Sequence, residues 1–124
     1  MSMIEATKVC FAKYTQFNGR ARRPELWWFI LFHYLVVFGP FIIGGLIFGA
    51  GSETYLVTLF VSTGFLLVTA LPWYAVLVRR LHDTNRSGWS LFVMLIPLLG
   101  VFILIAWLAS VGDEGENRFG PVPQ

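Results

Sequence analysis

The sequence predicts an all-α integral membrane protein, in which an amphipathic N-terminal helix precedes three hydrophobic helical segments. Of the 124 residues, 56% are hydrophobic and only 13% are charged, whereas about 25% are charged in an average soluble domain. A disordered chain would need high charge and low hydrophobicity. Nine basic and seven acidic side chains are too few to cover a small soluble domain, which leaves roughly a third of its unfolded surface exposed. We expect one domain at this length.

Three long segments contain no charged residue. Each is longer than the ~20 residues that an α-helix needs to cross a ~30 Å hydrocarbon core. Each also contains one proline, which membrane helices tolerate because neighbouring groups satisfy the freed backbone carbonyls. The three segments are Leu26–Ala50, Leu56–Val78 and Trp89–Val111.

The third segment has two interpretations. Read as a continuous helix, it crosses the membrane and places the polar tail, residues 112–124, outside the cell. Read as broken at Pro97 and Gly100, it forms two short arms of a re-entrant hairpin, because proline and glycine both interrupt helices. The hairpin keeps the tail on the cytoplasmic side. The sequence leaves both interpretations open.

Residues 2–17 predict an amphipathic helix. Ser2 and Glu5 have the spacing of a capping box. At 100° per residue, the apolar and aromatic residues fall on one half of the helix, and Lys8 and Lys13 fall on the other. Apolar aromatics opposite lysine are typical of a helix lying in the membrane interface. The alternative is a helix that packs on another protein surface.

The distribution of basic residues predicts the topology. Lysine and arginine collect in cytoplasmic loops, and with three crossings eight of the nine basic residues fall on one side. That side is expected to be cytoplasmic and to include the N-terminus. The loop between the first two segments contains no basic residue, and its one charged residue is Glu53. The eight residues are Lys8, Lys13, Arg20, Arg22, Arg23, Arg79, Arg80 and Arg86.

The polar residues beside the segments form the candidate site. Clustered arginines at a membrane boundary can bind lipid phosphates. The same residues can equally be structural, since arginines complement helix ends and snorkel to headgroups. His82 beside Asp83 could titrate near neutral pH, but an enzyme using this pair is the least favoured hypothesis. No metal site, cofactor or nucleic-acid partner is expected, because the metal-ligand spacing is missing and the basic residues do not form a soluble face.

Two features lie inside the apolar segments. His33 is an ionisable side chain within the first segment, and such residues are functional candidates by default. A hydrogen bond from a neutral histidine to another helix is the commoner case. Gly45 and Gly49 form a GxxxG pattern, which lets helix backbones approach closely within one chain or between chains. Self-association into a homo-oligomer is therefore a further expectation.

Four motifs occur in a recognisable order: Phe17-Asn18-Gly19-Arg20-Ala21-Arg22-Arg23, Arg79-Arg80-Leu81-His82-Asp83, Ile96-Pro97-Leu98-Leu99-Gly100 and Gly115-Glu116-Asn117-Arg118-Phe119-Gly120-Pro121. On these motifs the chain resembles the bacterial inner-membrane family called domain of unknown function 805, over about residues 8–123. It departs from the family's Gly-Pro-Asp-Pro ending, because Val122 stands in place of the acid. The resemblance implies a small bacterial inner-membrane protein and implies no activity.

We therefore expect a non-enzymatic membrane module that binds anionic lipid or a partner protein through a cytoplasmic Arg/His/Asp cluster. The alternative is a small oligomeric channel or transporter. If the polar tail joins the cluster, the tail must be cytoplasmic, and this favours the hairpin. The candidate binding residues are Arg20, Arg22, Arg23, Glu25, Arg79, Arg80, His82, Asp83, Asn117 and Arg118.

Overall fold

A computed structural model describes residues 1–123, and it is built from five α-helices and one 3-10 helix. Within this range there is no β-strand, only an isolated bridge between Asn117 and Gly120. The all-helical fold class predicted from the sequence is confirmed. In chain order the elements are α1 (Met3–Ala12), α2 (Arg23–Phe48), α3 (Glu53–Val68), α4 (Ala70–Asp83), the 3-10 helix (Gly88–Leu95) and α5 (Leu99–Ala109).

Helix α1 is shorter than the predicted helix and packs on the protein's own helices. The capping box is formed as the spacing predicts, because Ser2 Oγ accepts from the Glu5 amide at 3.2 Å and the Glu5 carboxylate accepts from the Ser2 amide at 2.9 Å. Cys10 is fully buried. The ring of Phe11 meets Phe29 of α2 edge to face, with centroids 5.9 Å apart. Contacts with α2 and α4 thus cover the inner face of α1.

Helix α2 is the one helix among residues 1–123 that is long and apolar enough by itself to cross a membrane. Pro24 lies in its first turn, where the missing N–H has no intrahelical partner. Pro40 lies inside the helix without ending it. The helix ends at Phe48, and the next residue, Gly49, has a φ of +84°, which favours glycine.

The second apolar segment is a bent pair of helices, α3 and α4, at 46° to each other. The bend lies at Thr69, three residues before Pro72. Proline has no amide hydrogen, so the carbonyl of Val68 loses its partner in the helix. The hydroxyl of Tyr14 donates to this carbonyl instead. Counted as one span, the pair is long enough to cross a membrane.

The third apolar segment forms two short helices that pack against each other. The 3-10 helix ends at Leu95, and α5 begins at Leu99. A Cβ at Gly100 would overlap the carbonyl oxygen of Val93, so glycine is needed where the arms approach. Leu98 between them has a φ of +61°. A continuous helix over Trp89–Val111 is thus not what the chain forms.

The buried core is concentrated at one end of the molecule. It lies where α2 begins and where α4 and α5 end, and its members include Leu26, Phe29, Leu81 and Leu108. Toward the opposite end, many large apolar side chains remain exposed, and Leu46, for example, is 81% exposed. Extended apolar surface of this kind is typical of a helix that meets lipid. The polar site is therefore built on the packed end of the protein.

Candidate functional site

Five ionic side chains are buried together at the packed end. We call Arg20, Glu25, Arg79, Arg80 and Asp83 the ionic cluster. None of the five residues is more than 6% exposed. Arg20 precedes α2, Glu25 lies in its first turn, and the other three lie in the last turns of α4. A backbone hydrogen bond of 3.0 Å from Ala21 to the Arg79 carbonyl joins the two helix ends.

The ionic cluster pairs three guanidinium groups with two carboxylates. Asp83 accepts from Arg20 at 2.8 Å and from Arg80, and Glu25 accepts from Arg79. Buried charges need such partners, since an isolated ion in an apolar interior is strongly unfavourable. Three positive and two negative groups leave one net positive charge, which other polar atoms must stabilise.

The polar tail supplies some of those polar atoms. Arg20 donates to the carbonyl oxygens of Asp113 at 2.6 Å, Gly115 at 2.7 Å and Gly120 at 3.2 Å. The amide of Asp113 donates to the carbonyl of Asp83 at 2.8 Å. The structure thus places the tail beside the start of α2 and the end of α4.

Two arginines satisfy the last carbonyls of α5. Arg80 donates through Nε to the carbonyl of Leu108 at 2.9 Å, and through Nη2 to that of Ser110. Arg23 donates to the carbonyl of Ala109 at 3.3 Å. The last carbonyls of a helix have no intrahelical partner and carry partial negative charge. These contacts hold the end of α5 at the same site as the start of α2.

His82 contacts the tail and the turn before α2, whereas the Asp83 carboxylate contacts arginines. Its Nδ1 lies 2.9 Å from the carbonyl oxygen of Gly19, and its ring stacks on Phe119 with centroids 3.9 Å apart. The amide of Asn117 donates to the His82 carbonyl at 2.9 Å. The carboxylate of Asp83 is directed instead at arginines.

Arg22 and Arg23 lie at the edge of the ionic cluster, beside an open cavity of about 270 Å³. Arg22 donates to the carbonyl of Pro123 at 3.1 Å. Within residues 1–123, neither arginine forms an ion pair with a carboxylate. Arg23 is exposed and Arg22 is half-buried. Their charges are thus available at the surface, unlike those of the ionic cluster.

All ten candidate binding residues lie at this end of the protein, but they have different surroundings. Arg22, Arg23 and Arg118 reach the surface, whereas most of the others are buried in contacts within the chain. The sequence analysis missed the tail carbonyls and Phe119 as partners, although the tail motif contained them. The contact of Cys10 with Glu25, whose Oε1 lies 3.9 Å from Sγ, was not predicted either. Burial and that carboxylate raise the pKa of Cys10 to about 12.

The other candidate residues lie away from the ionic cluster. A Cβ at Gly45 would lie 3.6 Å from the ring of Tyr55, so this glycine faces α3. Gly49 has open space around it and serves to end α2. Self-association through this GxxxG pattern stays a prediction. No group of three potential metal ligands occurs among residues 1–123.

Comparison with known proteins identifies the family. The family model described as "protein of unknown function (DUF805)" matches residues 14–121. The chain belongs to this family. It is 43% identical over 113 residues to the inner membrane protein YhaH of Escherichia coli (strain K12), an alignment that covers 90% of this chain and 89% of the relative. It is 38% identical over 111 residues to the inner membrane protein YhaI of the same strain, with coverages of 90% and 88%.

These comparisons confirm the family resemblance seen in the sequence motifs. The uncharacterized protein YiiR of the same strain is 27% identical over 129 residues, with 84% of this chain and 83% of the relative covered. No solved structure matches the chain. The names of YhaH and YhaI support a membrane protein, which agrees with the apolar segments.

Proposed function

We propose that the chain is a multi-pass protein of the bacterial inner membrane, with its N-terminus and its tail both in the cytoplasm. In this arrangement α2 crosses the membrane, the bent pair α3 and α4 returns, and the 3-10 helix and α5 form a re-entrant hairpin. The support comes from the ionic cluster, where the start of α2 meets the ends of α4 and α5. Positively charged residues favour the cytoplasmic side, and all nine basic residues then lie on that side.

The side of the tail can be measured with reporters fused after residue 124. A reporter that fluoresces only in the cytoplasm is expected to be active, and alkaline phosphatase, which needs the periplasm, is expected to be inactive. A fusion after Gly51, in the loop between α2 and α3, is the matched control and should show the opposite pattern. A periplasmic tail would contradict the hairpin.

We assign this module a non-enzymatic role, the binding of anionic lipid headgroups through Arg22 and Arg23. The observation that carries this assignment is that both guanidinium groups line an open cavity and have no carboxylate partner among residues 1–123. Trp27 and Trp28 follow within about one turn and are exposed, as expected of aromatic side chains at a membrane boundary. Arginine is suited to phosphate because its planar fork can donate two parallel hydrogen bonds. The buried arginines, by contrast, serve the fold.

The channel alternative has less support from the geometry. Most charged side chains collect at one end of the protein. In α2 and α3, beyond the first turn of each helix, His33 is the one residue that is charged or a histidine. A conducting path needs polar groups along its length.

The lipid proposal can be tested with the full chain in detergent micelles. The probes are short-chain phosphatidylglycerol and phosphatidylcholine, with affinities measured by titration. A basic residue near an anionic surface contributes about 1 kcal/mol, so the double variant R22Q/R23Q should weaken phosphatidylglycerol binding about 30-fold. It should leave phosphatidylcholine binding unchanged.

The matched control is the double variant K8Q/R118Q, which also removes two exposed positive charges. It should retain the preference for phosphatidylglycerol, because both residues lie outside the cavity beside Arg22. Equal weakening in the two double variants would show that net charge alone attracts the lipid, and the proposed site would then be abandoned.

A further inference from the structure

The end of the tail lies between two cavities. Val122 and Pro123 line the cavity of about 270 Å³ beside Arg22, and they also line a second cavity of about 440 Å³. The second cavity lies beside α1, and Lys13 is one of its lining residues. We call Pro121–Pro123 the strap, because the two cavities share this segment as a wall.

The tail is held at several points up to Gly120 and at one point beyond it. Arg20 donates to three carbonyls of residues 113–120. Among residues 1–123, the strap takes part in one hydrogen bond, which Arg22 Nε donates to the carbonyl of Pro123 at 3.1 Å. Gly120 has a φ of +127°, a conformation that glycine adopts freely. It lies where the two parts meet, so the strap can move about this residue while the rest of the tail stays in place.

The strap occupies Arg22 without neutralising it. Its three residues carry no charge, and the Pro123 carbonyl accepts one hydrogen bond from the guanidinium group. A phosphate group carries negative charge and can accept two parallel hydrogen bonds from one guanidinium group. An anionic headgroup is therefore a stronger partner for Arg22 than the strap is.

We propose that the strap is an autoinhibitory segment that competes with lipid phosphate for Arg22. In the closed state the Pro123 carbonyl is bound to Arg22. In the open state the strap swings away about Gly120, and the two cavities join into one groove bordered by Lys13, Arg22 and Arg23. Ligand sites usually have volumes of about 300–1,000 Å³, a range that the joined groove reaches and the closed cavity beside Arg22 does not. This inference rests on the headgroup binding proposed above and adds its regulation.

A nitroxide label on the strap tests the closed state without any lipid. Val122 is 46% exposed, whereas Cys10 is fully buried, so the variant V122C of the full chain can be labelled at the strap alone. Arg22→Met keeps a long side chain but removes the donor, and it should make the label more mobile in the electron paramagnetic resonance spectrum. Arg23→Met is the matched control, because Arg23 donates to the carbonyl of Ala109 and not to the strap. It should leave the spectrum unchanged.

Lipid is then added to the labelled protein in detergent micelles. Short-chain phosphatidylglycerol should make the label mobile, and short-chain phosphatidylcholine should not. The double variant P121G/P123G keeps the carbonyl that binds Arg22 but gives the open strap more conformational freedom, because proline restricts the undocked chain. Without a label, this variant should bind phosphatidylglycerol about fivefold more tightly than the unmodified protein.

The outcomes distinguish the strap from the headgroup site. Equal label mobility in the Arg22→Met and Arg23→Met proteins would overturn the proposal. So would phosphatidylglycerol binding that is equally tight in the unmodified protein and in P121G/P123G. Absence of phosphatidylglycerol binding to both proteins would instead refute the headgroup site itself, and the competition with it.

Discussion

Replacement of Asp83 by asparagine tests the ionic cluster most directly. The side chain keeps its size and one carbonyl oxygen but loses its negative charge. In the native protein this carboxylate accepts from Arg20 Nε at 2.9 Å and from Arg80, and Asp83 is 6% exposed. After the change, the cluster contains three positive groups and one negative group. Two buried guanidinium groups then have only neutral acceptors.

The expected loss in the free energy of unfolding is about 3 kcal/mol. Removal of one partner from a buried ion pair costs about 3–5 kcal/mol. We expect the lower end because carbonyl oxygens still surround both arginines, namely those of the tail for Arg20 and those of Ala21, Leu108 and Ser110 for Arg80.

Reversible unfolding in mixed micelles, by titration with sodium dodecyl sulfate and detection of tryptophan fluorescence, measures this loss. Asp113→Asn is the matched control, because the Asp113 side chain is exposed and, among residues 1–123, accepts only from the side-chain amide of Asn117, at 2.9 Å. Its stability should be indistinguishable from that of the unmodified protein. If D83N unfolds within about 1 kcal/mol of the unmodified protein, the buried ion pairs do not stabilise the fold as argued.

Two further predictions concern buried groups of other kinds. Cys10 should resist maleimide at pH 8 in micelles and react fully after denaturation, because it is buried and its pKa is about 12; rapid native labelling would contradict its placement. Gly100→Ala should lower stability by about 1–3 kcal/mol, because the new Cβ would overlap the Val93 carbonyl. The control is Gly64→Ala, which adds a methyl group in open space on α3 and should raise stability by up to about 1 kcal/mol. Both variants are measured by the same unfolding titration. Equal effects on the free energy of unfolding would argue against the close approach at Gly100.

The helices could largely be predicted from the sequence because long apolar runs and caps are local signals. The first segment, Leu26–Ala50, agrees with α2 to within a few residues. The bend in the second segment was harder to predict, because a proline alone does not indicate whether a helix bends. Pro40 leaves α2 unbroken, whereas the chain bends at Thr69, near Pro72. The difference depends on tertiary contacts, such as the hydroxyl that Tyr14 offers to the freed carbonyl.

The site was predicted as a set of residues but not as an arrangement. Charge counting brought the arginines to one boundary and suggested a surface for lipid. It could not show that Arg79 and Arg80 are fully buried, because all their hydrogen-bond partners except Asp83 come from distant parts of the chain. Glu25 and Asp83 were visible beside the arginines, yet one sequence does not indicate which carboxylate pairs with which arginine.

The contacts of Arg20 have a consequence for the order in which the protein assembles. Its partners lie between 63 and 100 residues further along the chain. Because a ribosome makes the N-terminus first, Arg20 emerges long before the carbonyl groups that will surround it. The turn before α2 must stay hydrated during most of synthesis, since burial of an unpaired charge is too unfavourable. Docking of the tail therefore follows the synthesis of α2 to α5, because it needs the carbonyl groups of residues 113–120 to have left the ribosome.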